Sequence, residues 1–136
     1  MITFPFKKRQ SKRLGGVLKP LIPVRLAGPD SSETVLMLLD SGADLSLIPY
    51  SVGEAIGLEP DMSRRSEIQG VGEGSVPYIL SRVQISIGAT EVPVRIGWTL
   101  IEEVPLLLGR LDVFRHFAIE FRTFENKILL KAQQEE

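Results

Sequence analysis

The chain has 136 residues, 43% of them hydrophobic and 24% charged, with a formal net charge of −1. That length suits one domain with a real core, and the balanced charge argues against overall electrostatic capture by nucleic acid or a membrane surface. The absence of cysteine excludes disulfides, thiol catalysis and Cys-ligated zinc, and the single histidine, His116, excludes a multi-histidine site, so neither metal nor cofactor is expected.

In chain order, Ile2-Thr3-Phe4-Pro5-Phe6 precedes a basic run, Lys7-Lys8-Arg9-Gln10-Ser11-Lys12-Arg13, and Gly15-Gly16 then breaks the chain. Residues 1–16 read as a basic N-terminal arm. Such a run can grip phosphates but is more often a solvated terminus, and the aromatic pair before it could instead serve as an adhesive strand for a partner subunit. No apolar core of a signal peptide follows, and no stretch approaches the roughly 20 apolar residues that span a bilayer, so a cytoplasmic protein is expected.

Residues 17–132 read as the domain: short strands separated by turn signals, the pattern of an all-β fold. Residues 21–26 make a first strand, which Pro20 and Pro23 push toward a sheet edge. The run Val35-Leu36-Met37-Leu38-Leu39 is apolar on both faces, as a central strand requires, and Leu45-Ser46-Leu47-Ile48 continues the core. Residues 51–58 fit a short helix with Ser51 as N-cap and Pro60 beyond its end. Residues 66–69 and 75–80 flank the glycine-rich Gly70-Val71-Gly72-Glu73-Gly74 as a hairpin. Val83, Ile85 and Ile87, then Val92, Val94 and Ile96, alternate with a period of two around Gly88-Ala89. Leu106-Leu107-Leu108 is a second wholly apolar run, residues 110–116 have helical spacing, and residues 118–122 and 127–130 form a last hairpin. Residues 133–136 are expected to fray.

Three features invite chemistry. The spaced glycines do not make a dinucleotide fingerprint, because β-type residues including Pro77 follow them where a helix is needed. His116 lies between Phe114 and Phe117 in a packing context, without a serine-hydrolase turn anywhere in the chain. The dense run ending in Asp40-Ser41-Gly42-Ala43-Asp44 is more pointed. A carboxylate at the mouth of a buried strand is costly unless solvated or paired. It is either a polar turn between core strands or a catalytic acid held on a rigid turn.

Leu38-Leu39-Asp40-Ser41-Gly42-Ala43-Asp44 resembles the active-site turn of the retropepsin-like aspartic proteases. Ile68-Gln69-Gly70-Val71-Gly72-Glu73-Gly74 is similar to that family's flap, and Leu106-Leu107-Leu108-Gly109-Arg110 to the apolar triplet and Gly-Arg that follow it. All three stand in the family's order, and the resemblance covers about residues 18–130, most of the chain. The resemblance implies a closed, mostly antiparallel β-barrel with one or two short helices, and a homodimeric aspartic endopeptidase cutting extended, largely apolar peptide segments. It implies Asp40, Ser41 and Gly42 as the catalytic turn and Ala43, Asp44, Gln69, Gly70, Val71 and Gly72 as substrate-binding. Arg110 would support the site by pairing with Asp44. Two carboxylates that share a proton can activate water and polarise an amide carbonyl, because close like charges cannot both ionise. The chain has one Asp-Ser-Gly and no second, so each of two identical subunits would bring one Asp40. A non-catalytic, dimeric peptide-binding module on the same fold is the alternative. The basic arm and Leu111, between Arg110 and Asp112, depart from the family pattern.

Overall fold

In the computed structural model, residues 1–69 and 74–133 are described. The strands run β1 (Ile2–Phe4), β2 (Lys7–Ser11), β3 (Gly15–Lys19), β4 (Leu21–Ala27), β5 (Ser32–Leu39), β6 (Ser46–Ile48), β7 (Arg65–Gln69), β8 (Ser75–Ile87), β9 (Thr90–Thr99), β10 (Leu107–Leu108), β11 (Phe117–Arg122) and β12 (Lys127–Ala132). One α-helix, α1 (Tyr50–Ala55), interrupts them. The alternation read in the sequence is the alternation of burial. In β4, Ile22, Val24 and Leu26 point inward while Pro23 and Arg25 face solvent, and Val83, Ile85, Ile87, Val92, Val94 and Ile96 line the core from β8 and β9.

Six strands close on themselves in the order β4-β5-β10-β6-β9-β8, with β8 returning to β4 through Ser86–Gln84 opposite Arg25–Ala27, and β7 extends the sheet beyond β8. The pairs β5–β10 and β6–β9 are parallel and the other pairs antiparallel. Closure leaves the barrel strands few free edges; in β5 Met37 and Leu39 are buried, while Leu36 on the opposite face is 38% exposed. Trp98 is fully buried. It stacks on Tyr50 at 5.2 Å, its indole N–H donates to the Tyr50 carbonyl at 3.0 Å, and it lies against Gly53, where a Cβ would come within 2.2 Å of the ring.

The chain ends form a second sheet, β1-β12-β11, with Ile2 opposite Leu130. Asn126 makes the β11–β12 turn at φ 54° and accepts the Phe6 N–H through Oδ1 at 3.1 Å. The basic run is drawn into β2, which pairs with β3 as a separate two-stranded ribbon. The boundary expected at residue 16 therefore falls within that ribbon. Residues 134–136 lie outside the described residues; Gln133 donates its N–H to the His116 carbonyl at 2.7 Å.

Local readings also change. The first strand is no free edge, since β4 pairs with β5 along its length; β8 joins it only at Arg25–Ala27, so Pro23 interrupts no bond on that side. The helix begins at Tyr50 after Pro49, and Ser51 does not cap it: the Ser51 N–H and hydroxyl both donate to the Glu102 carboxylate. Residues 110–116 are a run of turns instead of a second helix, because Asp112 adopts φ 64°. Among the described residues no helix is long and apolar enough to cross a membrane.

Candidate active-site turn

The Asp40 turn hangs from the parallel pairing of the two wholly apolar runs. Leu107 and Leu108 lie beside Leu38 and Leu39, while Leu107 also faces Leu47 of β6. The Leu38 N–H donates to the Leu106 carbonyl at 2.8 Å and the Asp40 N–H to the Leu108 carbonyl at 3.0 Å. On the other side Leu39 donates to the Pro20 carbonyl at 2.9 Å. Strand β5 is thus fixed from both sides up to the residue that bears the acid.

Beyond it the chain reverses within three residues, the Ala43 N–H donating to the Asp40 carbonyl at 3.2 Å. The Gly42 N–H donates to Oδ1 of Asp40 at 2.9 Å. A Cβ on Gly42 would stand 3.2 Å from that oxygen, so glycine keeps the approach open. Asp40 is half-buried while Ser41 and Gly42 are exposed. Among the described residues no cation forms an ion pair with Asp40.

The return leg is braced by the segment after β10. The Arg110 and Leu111 N–H groups donate to the Ala43 and Asp44 carbonyls at 2.9 and 2.8 Å, and the Arg110 guanidinium bonds to the Asp44 carboxylate. Gly109 makes this crossing feasible, since a Cβ there would lie 2.7 Å from the Leu45 carbonyl carbon. Its N–H donates to Ser46 Oγ at 2.9 Å in a fully buried contact. Ser46 is a support of the turn that the sequence does not single out. The signal was one hydroxyl inside the apolar run Leu45-Ser46-Leu47-Ile48, which a buried position admits only with a partner.

Asp40, Ser41, Gly42, Ala43, Asp44 and Arg110 are therefore brought together. Gln69 closes the β7–β8 hairpin opposite Ser75; Gly70, Val71 and Gly72, expected at the flap, lie outside the described residues. A hollow of about 460 Å³ borders the turn on its Asp44 side, between Leu45, Arg95, Arg110 and Leu111. His116 lines a different hollow with Arg82, Arg95 and Asp112. There, Arg95 grips Asp112 with both arms of the guanidinium at 2.8 and 3.0 Å and with its backbone N–H at 2.9 Å. Those hydrogen bonds hold the Asp112 carboxyl well below its ordinary range, at about 2, and raise the arginine's pKa in turn. Among the described residues no cluster of three or more His, Asp or Glu could hold a metal ion.

Residues 22–110 match the family model described as aspartyl protease. No curated protein matches in sequence. Among solved structures, a retropepsin-like aspartic protease from Rickettsia conorii superposes with a TM-score of 0.59 at 14% identity, covering 95% of this chain and 88% of that one. The retroviral protease-like domain of Ddi1 from Leishmania major gives 0.59 at 19% identity over 82% and 87%. EIAV protease, complexed with the inhibitor HBY-793, gives 0.51 at 22% identity over 71% and 86%. The fold is that of the retropepsin-like proteases, a mostly-strand closed barrel with one helix.

Proposed function

Since the chain belongs to the aspartyl protease family, we propose that it is an endopeptidase assembled from two copies, with one Asp40 from each. The observation that carries this reading is the Asp40 carboxylate itself. It is held by backbone bonds on both sides of its strand, partly open to solvent and without an ion-pair partner among the described residues. With one such turn per chain, a single copy holds half of the machinery.

In the pair, two carboxyl groups share one proton. The ionised member takes a proton from water as its oxygen attacks the peptide carbonyl carbon, and the protonated member donates to the carbonyl oxygen. The tetrahedral adduct collapses with cleavage of the C–N bond: the carboxyl protonated by the water gives its proton to the departing nitrogen, and the other carboxylate takes one from a hydroxyl of the adduct, which restores the shared proton. The exposed Ser41 hydroxyl bonds across the two-fold axis to the opposing turn, and Gly42 gives the substrate backbone room. Ala43 and Asp44 line the cleft. The segment from Gln69 through Gly70, Val71 and Gly72 covers an extended, largely apolar peptide by strand addition. Because the pair must retain one proton, turnover favours mildly acidic pH; a rate still climbing at pH 9 contradicts this mechanism.

The test is Asp40→Asn, assayed on a peptide library alongside wild type across a dilution series followed by solution mass. Cleavage should fall by about 10³-fold or more in the variant with the thermal midpoint kept, and wild-type specific activity should fall as dimer dissociates. Undiminished cleavage by Asp40→Asn overturns the mechanism. Peptide bound by wild type but never cut identifies a binding module instead.

A further inference from the structure

The ribbon of β2 and β3 is not used by the catalytic reading, and its charge is concentrated. Residues 7–19 hold six of the chain's 16 cations (Lys7, Lys8, Arg9, Lys12, Arg13 and Lys19) and none of its 17 acids, so the remainder, with 10 cations against 17 acids, has a formal charge of −7. The register sharpens this. Lys7 stands directly opposite Lys19, and Arg9, two residues along, shares their face. Like charges placed directly across a strand pair destabilise it, yet among the described residues no ion pair involves any of the six. The repulsion is left for an external anion to relieve.

We propose that this ribbon is an exosite for acidic polypeptide segments, holding them beside the Asp40 turn; the proposal rests on the proteolytic reading above. Three observations favour a polypeptide over other polyanions. Neither β2 nor β3 pairs with any further described strand, so the ribbon has free edges to which an extended chain can add. Leu14 at the tip and Leu18 in β3 are 75% and 41% exposed. Apolar side chains interspersed with acids would meet them, whereas a phosphate backbone would not. The ribbon is also rooted at the site: Pro20, directly after β3, accepts the Leu39 N–H next to Asp40 at 2.9 Å. A chain gripped there is presented to the cleft at raised effective concentration.

The experiment uses full-length Asp40→Asn protein, so that binding is read without turnover and survives a failure of the catalytic reading. Fluorescence anisotropy compares a labelled peptide of alternating Glu and Leu with its Gln and Leu counterpart. The acidic peptide should bind about tenfold or more tighter at low salt. That advantage should vanish near 1 M salt, where the Debye length is about 3 Å, and also in Lys7→Gln/Arg9→Gln/Lys19→Gln. A charge-reversed Lys7→Glu/Arg9→Glu/Lys19→Glu ribbon, whose shared face then carries only acids, should lose the preference for the acidic peptide and bind a Lys and Leu peptide at least as well as the acidic one, which a merely unravelled ribbon would not do. In the active chain, the ratio of kcat/KM for substrates with and without an acidic flank should fall toward one in the triple variant. Equal binding of the acidic and neutral peptides overturns the proposal. So does binding of a short DNA duplex or of phosphatidylserine vesicles that the acidic peptide does not displace.

Discussion

Two aspartates at loop positions meet opposite fates in this barrel. Asp112 sits in a turn at φ 64° and receives three N–H bonds from Arg95, so its charge is neutralised where it stands. Asp40 sits at the end of a central strand and receives one N–H, from Gly42, with no cation partner among the described residues. The backbone of Asp40 is bonded to Leu108 through its N–H and to Ala43 through its carbonyl, while its carboxylate is left available. Asp112 is a structural fastener, while Asp40 is left with the free carboxylate that the proposed chemistry requires.

The contrast can be broken from either side, and exchange of Asp40, with its loss of turnover at constant stability, is the largest expected effect. The mirror experiment is Asp112→Asn. It should lower unfolding free energy in urea by about 1–3 kcal/mol, the range for a charged hydrogen-bonded group left incompletely paired, while turnover per folded molecule holds. A collapse of turnover without loss of stability would merge the two roles. Next in size is the acid limb of the stability curve. The Asp112 carboxyl is depressed from 3.8 to about 2, so its contribution is present above the unfolded value and lost as pH falls from 3.8 through about 2. The slope over that interval should flatten in Asp112→Asn; an unchanged slope would assign the transition to other carboxylates. The smallest effect belongs to Arg110→Ala. Its side chain and that of Asp44 are 53% and 85% exposed, and two backbone bonds remain to hold the turn. The cost should be at most about 1 kcal/mol and should shrink with added salt.

The same contrast explains what could be read in advance. The runs at 35–39 and 106–108 were legible as barrel strands from their apolar density, although Leu36 is left 38% exposed, and the half-buried arms of β8 and β9 because their burial has a period of two. Asp40, Asp44 and Arg110 were legible as an ordered set of motifs. The helix expected at 110–116 was not realised, because its apolar spacing was right but Asp112 gains more from a guanidinium 17 residues away than from helical geometry. Ser51 has the chemistry of a cap, yet Glu102, distant in sequence, takes both of its donors. Gly109 was legible only as part of the Gly-Arg motif; the close crossing of the Leu45 backbone that excludes a Cβ there is visible only in the fold. Each miss is a long-range partner overruling a local preference.

Strand β10 contributes two residues, yet it joins β5 to β6 and carries the carbonyl that holds Asp40. It is laid down some seventy residues after the strand it completes. A nascent chain ending short of residue 107 has its acid but neither the strand that holds it nor the Arg110 brace beyond. Such separation between contacting segments slows folding, and the pairing that holds the Asp40 backbone cannot form until the chain has been made through Leu108.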